Sequence, residues 1–277
     1  MITDSITHPA RRDWLIPAGL IALSLVPSVF GTLRLAELAS GAPITAGNAR
    51  FVAAPLPVVL HILVVVPFCI VGAFQFSPTL RRRRRGWHRA AGRILAPFGL
   101  IAALTGLWMT HFYPWPEGDG RIVYIERLVF GAAMALSIVL GLNAIRRRDY
   151  ATHGAWMTRA YAIGLGAGTQ VLTHLPWFVL FGKPGELPRG FLMGAGWVIN
   201  VAVAEWVIRK RRARPGIPTI GGFDPPGAPG PTHPEHAVRV HSSAMIVRIL
   251  TNDARRGTPA KGALLAVRRT GSTDEGG

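Results

Sequence analysis

Six apolar stretches, each about 20 residues long, constrain this chain more than any other feature, because that length crosses a hydrocarbon core of about 30 Å. They run approximately over residues 14–33, 52–76, 90–112, 124–145, 155–181 and 191–208. Inside a bilayer no water pairs with peptide groups, so an open chain crosses as α-helices that satisfy their own backbones. The expected fold is all-α, a polytopic membrane helix bundle of about six transmembrane helices. Pro17, Pro27, Pro67, Pro97 and Pro176 fall inside the stretches. Proline argues against long helices in water, but a membrane bundle tolerates it as a kink. The first stretch follows Arg11 and Arg12, as a signal peptide would. It is longer than the usual apolar segment of such a peptide and lacks a small-x-small site directly behind it, so it reads as a retained helix.

Charge sets the orientation. Lys and Arg number 31 against 14 Asp and Glu, a net charge of +17, yet only 16% of residues are charged, below the roughly 25% of soluble domains. Arg81, Arg82, Arg83, Arg84 and Arg85 open the connection between the second and third stretches, RRRRRGWHRAAGR. Arg146, Arg147 and Arg148 follow the fourth, and Arg209, Lys210, Arg211, Arg212 and Arg214 follow the sixth. The alternate connections carry Arg34 and Arg50, then Arg121, then Lys183 and Arg189, mixed with Glu37, Glu117, Asp119 and Glu186. By the positive-inside rule this alternation predicts a multi-pass protein of the cell inner membrane with both termini in the cytoplasm. The five-arginine run reads as a contact for anionic lipid headgroups rather than for nucleic acid. The expected organisation is a cytoplasmic N-terminus over residues 1–13, a six-helix domain over 14–208, and a basic tail over 209–277. The tail is rich in Pro and Gly, a composition that buries too little apolar surface to fold, and is expected to be mostly disordered. Oligomeric state is not encoded in any recognisable way. The single cysteine, Cys69, excludes an internal disulfide.

Ionisable groups inside spans are costly and point to function. Counting about 1.5 Å per residue, His61 in the second stretch lies on the order of 13 Å below the outer end, and His174 in the fifth on the order of 10 Å below it. His111 closes the third stretch near the same face, while His88 and His153 precede the third and fifth on the inner side. Paired imidazoles on different helices at one depth are what a b-type haem requires; no CxxCH is present for covalent attachment. The leading expectation is therefore a haem b protein that transfers electrons across the membrane. Its ligands would be His61, His88, His153 and His174, with Arg93 and Arg159 tuning the site or holding propionates. Against this stands the ordinary role of a buried histidine as an interhelical hydrogen-bonding group. Two other classes compete: a small-solute or proton-coupled transporter with His61, Gln75 and Glu205 along a polar path, and a structural lipid-interacting protein without chemistry. Asn200 and Glu205 are the polar groups of the last stretch, and Glu205 is placed to pair with an arginine or relay a proton. Glu126 and Arg127 read as a local pair. The GLGAG run at 164–168 suits close helix packing. Trp14, Trp108, Tyr113, Trp115, Tyr124 and Trp177 read as interface anchors. No catalytic residue is assigned.

A weak repeat joins RRRRRGWHRAAGR and RRRDYATHGAWMTR, each running from arginines to a His and then an Arg. Together with HILVVVPFCIVGAFQFSPTLR and WVINVAVAEW, these segments resemble the domain-of-unknown-function family 2306 of bacterial membrane proteins. The resemblance covers about residues 55–210. Its motif positions are His61, Gly72, Gln75, Phe76 and Arg81; His88, Arg89, Gly92 and Arg93; His153, Trp156, Met157 and Arg159; and Asn200 and Glu205. The resemblance implies a multi-span membrane fold and no established activity. The layout is also similar, by analogy alone, to transmembrane ascorbate-reducible b-type cytochromes.

Overall fold

The computed structural model describes residues 9–213. The expectations for residues 1–8 and for 214–277 of the tail lie outside the described residues. Nine α-helices and one 3-10 turn make up the described chain, with no strand among the described residues. They are α1 (Pro9–Ala39), α2 (Ala49–Ala53), α3 (Pro55–Ala73) with the 3-10 turn Phe74–Phe76, α4 (Pro78–Arg83), α5 (Arg85–Phe112), α6 (Arg121–Arg146), α7 (Tyr150–Gly164), α8 (Gly166–Phe181) and α9 (Glu186–Arg212). Five helices are long and apolar enough to cross a membrane: 13–39, 55–76, 85–112, 121–146 and 186–212.

Two of the expected spans differ from their sequence reading. The second begins at Pro55, because proline at the first helical position starts a helix and cannot continue one. Phe51 and Val52 therefore belong to the short separate helix α2. His61 then lies on the order of 9 Å from the start of its helix, shallower than expected. The fifth span is two helices, α7 and α8, that meet at Leu165. In a continuous helix the Gly166 N–H would bond to the Ala162 carbonyl. That carbonyl instead accepts from Asn200 Nδ2 at 3.0 Å, and Thr169 Oγ1 donates to Asn200 Oδ1 at 2.7 Å. A side chain inserted into the backbone ladder is a standard cause of a helix break. The glycines around the break permit it. Gly166 lies against the Trp197 indole and Gly168 against the backbone of Leu23, where a Cβ would not fit.

Packing follows chain order and then closes: α1 on α3, α3 on α5, α5 on α6, α6 on α7 and α9, α9 on α8, and α8 back on α1. Phe68, 2% exposed, anchors the core among Ile138, Met134, Leu95, Ala160 and Tyr161. Its ring is held between Gly99 and Gly164, where a Cβ would come within 2.6 and 2.9 Å of it. Small residues at such crossings let helices approach closely. The outward face is the reverse of a water-soluble protein. Leu15, Phe30, Leu104, Val129, Phe178 and Phe191 are all exposed, and an apolar surface on this scale needs lipid around it. The chain is an integral membrane protein of several spans, in contact with the bilayer.

Candidate functional site

Most of the family-motif residues hold helices together. On α7, His153 Nδ1 donates to the Gly141 carbonyl of α6 at 2.9 Å, and Met157 Sδ packs over Gly141 itself. Arg159 makes a bidentate pair with Glu205 of α9, Nε–Oε1 at 2.5 Å and Nη2–Oε2 at 3.0 Å. The Arg159 guanidinium also stacks 4.5 Å from the Trp156 ring centre. On α3, Gly72 makes room for the Tyr161 ring, whose hydroxyl donates to the Cys69 carbonyl at 2.6 Å, and Phe76 packs 4.8 Å from the same ring. The His-x-x-Trp-Met-x-Arg segment is thus a fastener of α7 to α6 and α9. The Gly-x-x-Gln-Phe segment receives α7 from the other side.

His61 is different. Its Nδ1 lies 3.0 Å from the Ala102 carbonyl and 3.0 Å from Thr105 Oγ1, both on α5. Since Thr105 donates its own hydroxyl to Ile101 O at 2.7 Å, the Ala102 bond fixes the proton on Nδ1. That leaves the Nε2 lone pair without a partner among the described residues. The imidazole lies on the wall of a cavity of about 450 Å³ between α1, α3, α5, α6 and the α7–α8 break, within the range of small-molecule sites. Its walls are largely apolar, with Ile62, Val65, Met134, Ile163 and Trp197 among them. Gly106 leaves the space beside the ring open.

The cavity reaches the arginine-poor end of the bundle, where Arg50, Phe51, Tyr113, Trp115 and Arg127 form its mouth. Arg34 and Arg50 stack on the Phe51 ring at 4.8 and 4.6 Å from its centre. Tyr113 packs edge-on against Phe51 and donates its hydroxyl to the Ala54 carbonyl at 2.5 Å. Burial raises the Tyr113 pKa, partly opposed by the Arg50 charge. Arg127 pairs with buried Asp119 at 2.6 Å, and Arg189 pairs with the same carboxylate at 2.5 Å. Arg34 pairs with Glu37. Arg50 has no carboxylate partner among the described residues, and its Nε is buried without a hydrogen bond. Burial, the largest cause, lowers its pKa, with Asp119 opposing and Arg127 and Arg34 reinforcing; a guanidinium stays charged through such a shift.

The other expected ligands do not join this cavity. His174, on α8, bonds through Nδ1 to Gln170 O at 2.7 Å of its own helix and is not on the cavity wall. Its helix packs on α1 and α9. His111 is exposed and within 3.1 Å of the Tyr124 hydroxyl. His88 and His153 lie on α5 and α7, and His88 Nδ1 is buried without a partner. Arg93 is exposed at the arginine-rich end. No group of three or more His, Cys, Asp or Glu suited to a metal ion occurs among the described residues. Gln75 Nε2 is buried without a partner, away from the cavity, and Glu205 is engaged by Arg159. His61, Gln75 and Glu205 therefore do not line one path. Arg127 pairs with Asp119 rather than with Glu126, whose Oε2 has no partner.

Sequence reasoning missed the mouth. Tyr113 and Trp115 read as interface anchors, and Arg50 as a stray charge in a bare loop. The available signal was Arg50 directly before Phe51 in a connection poor in basic residues. No curated protein and no solved structure matches the chain. A family model described as a predicted membrane protein, DUF2306, matches residues 58–208, a stretch that holds every fastening motif described above. With more than half of its length covered and its motif residues joining the helices, the chain belongs to the DUF2306 family of membrane proteins.

Proposed function

We propose that the protein binds an apolar small molecule or cofactor within the bundle, against His61. One observation carries the reading: an imidazole with its Nδ1 proton fixed by the Ala102 carbonyl and its Nε2 unpartnered, on the wall of an apolar cavity of about 450 Å³. The imidazole is a polar point on an otherwise apolar wall, open to a molecule bound in the cavity.

Haem b is the first candidate occupant. His61 could hold its iron through Nε2, since a metal-ligating histidine usually donates its other nitrogen to a carbonyl or carboxylate. Arg50 at the mouth, which has no carboxylate partner among the described residues, suits a propionate. The residues do not fit a bis-histidine centre, because His61 is the one histidine on the cavity wall among the described residues. Bound there, haem would supply one-electron chemistry. Transfer across the membrane would need a second centre, for which His88 on α5 and His153 on α7 are the candidates. In purified protein a Soret band is expected, lost in His61→Ala and retained in His174→Ala. A colourless protein after haem-supplemented expression removes haem. The broader reading is then tested by native mass spectrometry: protein released from detergent without any bound apolar compound, before and after lipid addition, ends it.

The arginine distribution supports a cytoplasmic placing of the arginine-rich end in a cell inner membrane, with exposed Arg81, Arg82, Arg83, Arg84 and Arg85 against anionic headgroups. Reporter fusions at the two ends test it.

A further inference from the structure

We propose that the ligand of the His61 cavity is a single-chain amphiphile whose carboxylate head seats on Arg50 at the arginine-poor mouth while its apolar body extends inward to His61. The inference rests on the broader reading of the cavity as a site for an apolar ligand, and puts a single-chain amphiphile there in place of haem.

Three observations carry it. First, the guanidinium groups around the mouth are unequal. Arg34 is engaged by Glu37, and Arg127 and Arg189 share Asp119. Arg50 alone of these four has no carboxylate within bonding distance, although it lines the cavity and its Nε is shut off from solvent without a hydrogen bond. Asp119 acts on Arg50 electrostatically but forms no ion pair with it; its Oδ1 accepts from Arg189, and its Oδ2 lies 2.6 Å from Arg127 Nη1. A partly buried guanidinium without an acceptor is a poor resting state, and a planar carboxylate matches its donors in pairs. Second, the group is held in place for a ligand. Arg50 stacks 4.6 Å from the Phe51 ring centre, and Phe51 is braced by Tyr113, so little side-chain freedom remains to be lost on binding. Third, the cavity behind the arginine is apolar and of drug-sized volume, about 450 Å³. That space takes one chain and not both chains of a phospholipid. The ligand thus needs an anionic end and a single apolar body, in that order from the mouth.

The probes are tritiated hexadecanoic acid and hexadecan-1-ol, which share a chain and differ in the head. Binding is measured to the full-length protein in an uncharged glycoside detergent at neutral pH, with phosphatidylglycerol as competitor. Wild-type protein is expected to prefer the acid by about tenfold, the scale of one charge-assisted hydrogen-bonded contact. Arg50→Gln is expected to bring the preference near one, and Arg50→Lys to restore part of it. Equal binding of acid and alcohol by wild-type protein overturns the headgroup assignment while leaving the cavity reading intact. So does an undiminished preference in Arg50→Gln protein whose circular dichroism is native. Stronger displacement by phosphatidylglycerol than by unlabelled acid overturns the single-chain carboxylate in favour of a lipid phosphate. Failure of both probes to bind folded wild-type protein, with no effect of His61→Ala on any bound compound, overturns the cavity reading together with this inference.

Discussion

At single positions, hydrogen-bond arithmetic separates the side chains that hold the bundle from His61, whose Nε2, on the cavity wall, has no protein partner among the described residues. Asn200 serves both the Ala162 carbonyl and the Thr169 hydroxyl. Asn200→Ala is expected to cost about 2 kcal/mol, because it orphans a carbonyl at a helix break; thermal unfolding in detergent measures it. His61→Ala removes one bond to Ala102 and is expected to cost less stability than Asn200→Ala while removing the bound compound. Asp149 caps α7, accepting from the Thr152 N–H at 2.9 Å, and that bond lowers its pKa. A carboxylate whose folded pKa is depressed adds stability above its unfolded pKa and loses it as pH falls through the folded one. Protection of the first turn of α7, corrected for the intrinsic exchange rate, is therefore expected to fall as pH drops below about 4, and Asp149→Asn is expected to abolish that dependence. Sequence alone marked His61 and Asn200, since polar groups inside spans need a reason. It did not distinguish the fastener from the open acceptor, because the difference lies in which partners the neighbouring helices bring.

Among the helices, α7 and α8 are where the span pattern and the structure part. Hydropathy reads 155–181 as one span; the chain breaks at Leu165 because Asn200 takes the place of a backbone donor and two glycines admit Trp197 and Leu23. Gly166→Ala and Gly168→Ala are each expected to destabilise the bundle by about 1–3 kcal/mol through overpacking. Gly106→Ala, whose Cβ would meet His61 at an ordinary 3.6 Å, is expected to be near neutral. Parallel melting curves compare the three. The Arg159–Glu205 pair joins α7 to α9 with both side chains partly exposed, 23% and 30%. A double-mutant cycle with Arg159→Met and Glu205→Met is expected to give a coupling of about 1 kcal/mol, the scale of polar contacts between membrane helices. A coupling near zero would leave the pair without a fastening role. GLGAG was legible as close packing, but the break was not, since its cause is an asparagine more than thirty residues away on another helix.

Over the whole molecule the arginines sort the two ends. Reporter fusions after Arg148 and within residues 114–119 are expected to report opposite sides of the membrane. The number of apolar stretches, their helical state and the alternation of basic connections were determined by the sequence itself, because each depends on local composition against a bilayer of fixed thickness. Helix rotation and neighbour choice are not local quantities. They emerge when glycines at 72, 99, 141, 164 and 166 admit particular rings and side chains, so the matched depths of His61 and His174 carried no information about whether those helices meet. Only the folded bundle leaves His61 with a free nitrogen on an apolar cavity and gathers Arg50, Phe51, Tyr113 and Arg127, from three separate segments, at its mouth. That convergence depends on three-dimensional packing, which hydropathy does not encode.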